Sequence, residues 1–214
     1  MTSSKTSPSS TWRPATRQLH AGLERTEYGE TSEALFLTSG FVYDNAEQAA
    51  ATFRNEITHY QYSRFGNPTV AALERRLADL EGAEACIATS TGMGAVSSAL
   101  LSHVKAGERV VASRALFGSC YWIVANLLPR YGVEIEFVDG TDLPQWERAL
   151  SRPTAAVLLE SPSNPMLDIL DIAAISALAH KAGAIVVVDN VFASPIYQKP
   201  LALGADVVVY SCTK

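Results

Sequence analysis

Cysteine is scarce: Cys86, Cys120 and Cys212 are the only three in 214 residues, far apart and with no CxxC pair. Neither a disulfide framework nor a zinc site is suggested, and a reducing cytoplasm is the simplest setting. A basic excess is missing as well, since 17 Lys and Arg against 22 Asp and Glu leave a net charge of −5. Binding to phosphate backbones needs a basic face, so nucleic acid is set aside as a partner. No stretch is apolar enough for a membrane helix. The longest uncharged run, Ala85 to Val104, carries Thr89, Ser90, Thr91, Ser97, Ser98, Ser102 and His103, and no membrane partner is expected. The first 23 residues have no Asp or Glu and are rich in Ser and Thr. That composition resembles an organellar transit peptide and lacks the apolar core of a secretion signal; the plainer reading is an N-terminal arm. What the chain does have is 48% apolar and 18% charged residues, the make-up of a globular protein with a substantial core.

Hydrophobic periodicity divides the chain. Residues 1–60 show little of it and read as an arm with short elements; residues 61–214 read as an α/β domain. Asn67 as cap, Pro68 at the first helical position, the stripe Val70, Leu73, Leu77 and Leu80, and Gly82 as stop predict a helix. Short apolar runs then alternate with helical stretches. Cys86–Thr89, Arg109–Ala112, Glu134–Val138, Ala155–Leu159, Ala184–Val188 and Asp206–Tyr210 read as strands, several of them near-continuously apolar, as in a parallel sheet covered on both faces. Helices are expected near Met93–Lys105, Ser119–Tyr131, Pro144–Leu150 and Asp171–Ala182. In such a domain ligands sit beyond the carboxyl ends of the strands.

Polar and reactive groups gather at those ends. The turn Ser90-Thr91-Gly92-Met93-Gly94 opens a helix, where backbone N–H groups and the helix dipole suit a phosphate; a tight packing turn would look the same. It has neither the third glycine of a dinucleotide fingerprint nor the Gly-Lys-Ser of a P-loop, which disfavours a nicotinamide dehydrogenase. Asp189 ends the run Ala184 to Val188, where an ionised acid is costly without a cation or donors; a turn cap is the alternative. Lys214 follows Val207-Val208-Val209-Tyr210. A desolvated amine there becomes nucleophilic, whereas an exposed loop lysine does not. Together a phosphate turn, a buried acid and a strand-end lysine fit pyridoxal 5′-phosphate, with Ser211 and Thr213 as further phosphate donors.

Six segments, in order, make the pattern specific: Thr16 to Gly22, Tyr62 to Thr69, Thr91 to Ala95, Glu160 to Pro165, Val188-Asp189-Asn190 and Ser211-Cys212-Thr213-Lys214. With these the chain resembles the Cys/Met-metabolism family of pyridoxal-phosphate-dependent enzymes, the cystathionine γ-synthase and γ-lyase group, on the fold-type I aminotransferase-like architecture. The resemblance implies that Lys214 forms the Schiff base with the cofactor, that Asp189 pairs with the pyridinium nitrogen, and that Asn164 bonds the ring oxygen. Thr91, Gly92, Met93, Ser211 and Thr213 would hold the phosphate. Tyr62 and Arg64 match a pair that reaches the phosphate in the neighbouring subunit, which implies a homo-oligomer, a tetramer, with shared active sites. By its residues alone Arg64 equally suits a surface ion pair.

Phe117 stands where many relatives carry a ring-stacking tyrosine; it keeps the stacking and loses the hydroxyl. Leu116 to Cys120, Phe137 to Gly140 and Ser163 to Met166 point within the family to replacement of the γ-acyloxy group of O-succinylhomoserine by sulfide, giving homocysteine for methionine biosynthesis. Cystathionine γ-synthase and the cystathionine or methionine γ-lyases share every cofactor residue named here. A non-catalytic α/β module that binds a phosphate ligand is the rival from another class. Cys86 and Cys120 read as packing residues, and Cys212 has no evident catalytic role. Relatives continue past Lys214 into a C-terminal domain that binds the substrate carboxylate, so these residues are expected to be a segment of the family's fold.

Overall fold

The computed structural model describes residues 11–214. The Ser- and Thr-rich start, residues 1–10, on which part of the transit-peptide resemblance rests, lies outside them. The chain forms two compact units, Met1–Ala88 and Thr89–Lys214. They divide later than the sequence boundary near residue 60, because the helix opened by Asn67 belongs with the first unit.

The first unit holds α1 (Pro14–His20), α2 (Ala46–Phe53) and α3 (Pro68–Glu81). The start and stop of α3 are those expected. The Asn67 side chain accepts the Thr69 N–H at 2.8 Å, and Gly82 closes the helix at φ +80°, a conformation that favours glycine. The apolar stripe fares differently. Leu80 is buried, but Val70 and Leu73 are 41% and 43% exposed. This unit has little apolar mass to set against them: among its described residues Ala21, Ala72 and Leu80 are the buried apolar side chains. Polar contacts join α1 to α3 instead, with Arg17 Nε on Asp79 Oδ2 at 2.8 Å and Arg76 Nε on the Ala21 carbonyl at 2.9 Å.

The second unit is a five-stranded parallel sheet in the order β2-β1-β3-β4-β5, with helices on both faces. In chain order come α4 (Gly92–Leu101), β1 (Arg109–Ser113), α5 (Gly118–Trp122), β2 (Glu134–Val138), α6 (Leu143–Ala149), β3 (Ala156–Glu160), α7 (Ile172–Lys181), β4 (Ile185–Asp189), α8 (Ser194–Tyr197) and β5 (Val207–Val209). After α5 the chain stays helical through a π turn, Ile123–Leu127, and a 3₁₀ turn, Leu128–Tyr131. Alternation along the strands builds two cores. Val110, Ala112, Ala156, Leu158 and Val187 pack with α4 and the α5 segment, while Val111, Val157, Leu159, Val186 and Val188 pack with α6 and α7. Both faces being covered is why these strands read as continuous apolar runs.

One expected strand is absent. Cys86–Thr89 lies across the boundary between the units, Ile87 is 82% exposed, and the Ala88 N–H donates to Glu74 Oε1 rather than to a ladder. A strand exists only where another backbone pairs with it, which an apolar pattern alone does not supply.

Candidate active site

Beyond the carboxyl ends of the strands lies a cavity of about 230 Å³. The start of α4 contributes Thr91, Gly92, Met93 and Val96; the end of the β1 loop contributes Phe117 and α5 contributes Cys120. Glu160 and Asn164 follow from β3, Asp189, Val191 and Phe192 from β4, and Val209, Tyr210, Ser211, Thr213 and Lys214 from β5. Nine of the residues singled out in the sequence are thus in one cavity: Thr91, Gly92, Met93, Phe117, Asn164, Asp189, Ser211, Thr213 and Lys214. Tyr62 and Arg64 belong to the first unit and are not among its lining residues. There the Arg64 guanidinium lies 5.5 Å from the Tyr62 ring centroid and 4.8 Å from that of Phe65.

The α4 turn is built for close approach. Thr91 Oγ1 caps the helix by accepting the Gly94 N–H at 2.9 Å, which leaves the first-turn donors directed at the cavity end. A Cβ on Gly92 would meet Ser211 Cβ at 2.9 Å, so only glycine lets the helix start and the loop after β5 come together here. Two donor-rich segments form one cradle.

Asp189 is 7% exposed. Its Oδ1 accepts the Val191 N–H at 3.1 Å, while Oδ2 has only the Cys120 thiol, at 3.8 Å. Burial pushes its pKa up, and the Val191 and Cys120 donors pull it partly back. An acid so placed lacks a cationic N–H partner on the cavity side. Beside it, burial and the charges of Asp189 and Glu160 push the Cys120 thiol up to about 12, so it stays protonated at neutral pH. Cys120 is a packing residue, as expected, that also donates into the site.

Lys214 lines the same cavity, with Nζ 5.9 Å from the Phe117 ring centroid, and its place there beside Ser211 and Thr213 makes it a candidate.

Glu160 was passed over. It is 3% exposed, Oε2 accepts the Phe117 N–H at 2.5 Å, and its pKa is raised to about 7, chiefly by burial. The signal was available, because Glu160 ends the apolar run of β3 as Asp189 ends that of β4, and the two are register partners. Asn190 was missed too. Fully buried, its Nδ2 donates to Tyr210 Oη at 2.7 Å and to the Gln198 carbonyl at 3.0 Å, while Gln198 Nε2 donates to Asn190 Oδ1 and to the Ser161 carbonyl, each at 2.7 Å. This network braces the loops behind the cavity.

A parallel α/β sheet whose carboxyl edge joins a donor-rich helix start, a buried acid wanting a cation and a lysine defines the class of fold-type I pyridoxal-phosphate proteins. The chain belongs to the Cys/Met metabolism PLP-dependent enzyme family, whose model matches residues 15–214. It is 55% identical over 94% of its length to an O-succinylhomoserine sulfhydrylase of Mycobacterium tuberculosis, and 45% identical over 93% to an L-methionine gamma-lyase of Fusobacterium nucleatum. It spans about half the length of these curated relatives, 49% and 51%. The fold agrees. A Campylobacter jejuni structure provisionally named O-acetylhomoserine (thiol)-lyase, carrying N′-pyridoxyl-lysine-5′-monophosphate, superposes with a TM-score of 0.89 at 31% identity, covering 95% of this chain and 50% of that one. The metB protein of Corynebacterium glutamicum gives 0.88 at 34% identity, over 96% and 52%. The family's cofactor is pyridoxal phosphate, and the cavity fits it: the open side of Asp189 suits a ring N–H, the cradle suits a phosphate, and Phe117, Val191 and Phe192 supply apolar walls. Among the described residues no helix is long and apolar enough to cross a membrane.

Proposed function

We propose that the protein catalyses γ-replacement on O-succinylhomoserine, with sulfide entering and succinate leaving to give homocysteine. The observation that carries this reading is the gathering of Gly92, Ser211, Asp189 and Lys214 in one cavity of a chain 55% identical to a sulfhydrylase. Thr91, Gly92, Met93, Ser211 and Thr213 would hold the cofactor phosphate, Asn164 its ring oxygen and Asp189 its ring nitrogen; Phe117 would stack on the ring and Lys214 would bind it covalently. When bound, pyridoxal phosphate supplies an electron sink for charge that develops on the substrate.

The chain's own groups do the rest. Asp189 keeps the ring nitrogen protonated by ion pairing, which desolvation in this pocket strengthens. Lys214 Nζ would take the proton from the substrate Cα, move one off Cβ as succinate leaves from Cγ, and return both once sulfur has bonded to Cγ, since Phe117 has no hydroxyl to share that work. The Cγ–O bond to succinate breaks and a bond from sulfur to Cγ forms, so the exchange needs no oxidant or reductant. Tyr62 and Arg64 serve the neighbouring subunit's phosphate in a homo-oligomer. One feature of the first unit supports this: Arg64 has ring contacts but no carboxylate partner among the described residues.

Comparing kcat/KM of the full-length protein for O-succinylhomoserine with sulfide, for O-succinylhomoserine with cysteine and for methionine alone tests the reading. Sulfide is expected to win by a wide margin. Preference for cysteine would make it a synthase, and fastest consumption of methionine a γ-lyase.

A further inference from the structure

Two buried acids stand side by side at the carboxyl edge of the sheet, and the proposed cofactor contacts use only one. Asp189 has a role in them. Glu160, its register partner on the neighbouring strand, has none. Its hydrogen bond is to backbone: Oε2 accepts the Phe117 N–H at 2.5 Å, 43 residues away in sequence. Phe117 ends the loop after β1 and precedes α5 as a cap residue with no side-chain capping bond, and its ring is 38% exposed. A single carboxylate at the end of a central strand therefore ties down the loop after β1, which carries the cavity-lining Phe117.

We propose that Glu160 is a positioning residue that holds the backbone of this loop and thereby sets the Phe117 ring at the cavity wall. This rests on the cavity being the cofactor site. A charged acceptor forms shorter and stronger bonds to N–H than a neutral one, and a central strand is the most rigid base available for it. The clamp is sensitive to protonation. Burial raises Glu160 to about 7, the Phe117 and Asn164 donors pull it down, and the charge of Asp189 pushes it up. The titratable groups facing it are Asp189 from β4, the Cys120 thiol from α5, and Lys214 after β5, whose Nζ lies near the Phe117 ring.

Amide hydrogen exchange over Ser113–Tyr121 in the cofactor-free full-length protein tests this. Glu160→Ala is expected to raise exchange there by about tenfold, the loss of a bond to a charged acceptor, while the β2 peptide Glu134–Val138 keeps its protection. Glu160→Gln retains an oxygen acceptor and is expected to fall between. In parallel, affinity for pyridoxal phosphate drops about tenfold in Glu160→Ala and recovers mostly in Glu160→Gln. Wild-type exchange in Glu160→Ala overturns the proposal; if the alanine variant fails to fold, the glutamine variant decides alone, and wild-type exchange there overturns it. The exchange measurement needs no cofactor, so its failure is distinct from failure of the cofactor reading, which would show as no borohydride-fixed label on Lys214.

Discussion

A carboxylate closed off from water at the end of β4 is tolerable only if something offsets its desolvation, and the protein supplies one backbone N–H and one long thiol contact. The rest falls to whatever occupies the cavity. Replacing Asp189 with Asn keeps shape and packing but cannot hold a ring nitrogen protonated, so Asp189→Asn is expected to retain cofactor while losing activity by about 100-fold or more, the cost of a buried ion pair in a reacting site. Unchanged turnover at saturating pyridoxal phosphate would refute the pairing. Lys214→Ala, which removes both the covalent anchor and the proton shuttle, is expected to abolish turnover, read as the loss of product formation at saturating pyridoxal phosphate.

The elements were legible where local chemistry decides them. Asn67-Pro68 and Gly82 marked the ends of α3, and the apolar runs of β1, β3 and β4 were visible because both faces of those strands are covered. Cys86–Thr89 misled because pairing is non-local. Glu160 escaped because its partner is a backbone amide 43 residues distant, which no spacing rule exposes. Packing within the crossovers was equally hidden. Trp146 of α6 is fully buried and its Nε1 donates to the Gly140 carbonyl at 3.0 Å. Trp146→Ala is expected to cost about 3–5 kcal/mol, read as a shift in denaturant midpoint, and Trp146→Phe clearly less, since the ring refills most of the space. Gly140 is tied to the same place: a Cβ there would lie 2.5 Å from Ser113 Oγ and 3.0 Å from both Leu170 methyls.

At the scale of the molecule, the two raised acids predict how stability varies with pH. Glu160 has a folded-state pKa of about 7 against an ordinary value of 4.5, and Asp189 shifts in the same direction. The folded cofactor-free protein then binds more protons than the unfolded chain between those values, so this contribution is complete below the ordinary carboxylate range and is lost as pH rises to about 7. The melting temperature of Glu160→Gln should accordingly fall less than that of wild type across that window. Assembly makes a different demand. The first unit carries Tyr62 and Arg64, and Tyr62 is 45% exposed. If those two complete a neighbour's site, full-length chains bearing Arg64→Ala and chains bearing Lys214→Ala, each inactive alone, should regain activity when unfolded, mixed and reassembled. In a mixed dimer one cavity would combine an intact Lys214 with the partner's intact Arg64, so random assembly predicts up to about one quarter of wild-type activity by the statistics of symmetric pairing. Hybrids shown by mass spectrometry to contain both chains, yet inactive, would place Arg64 in its own subunit's site or outside the site altogether.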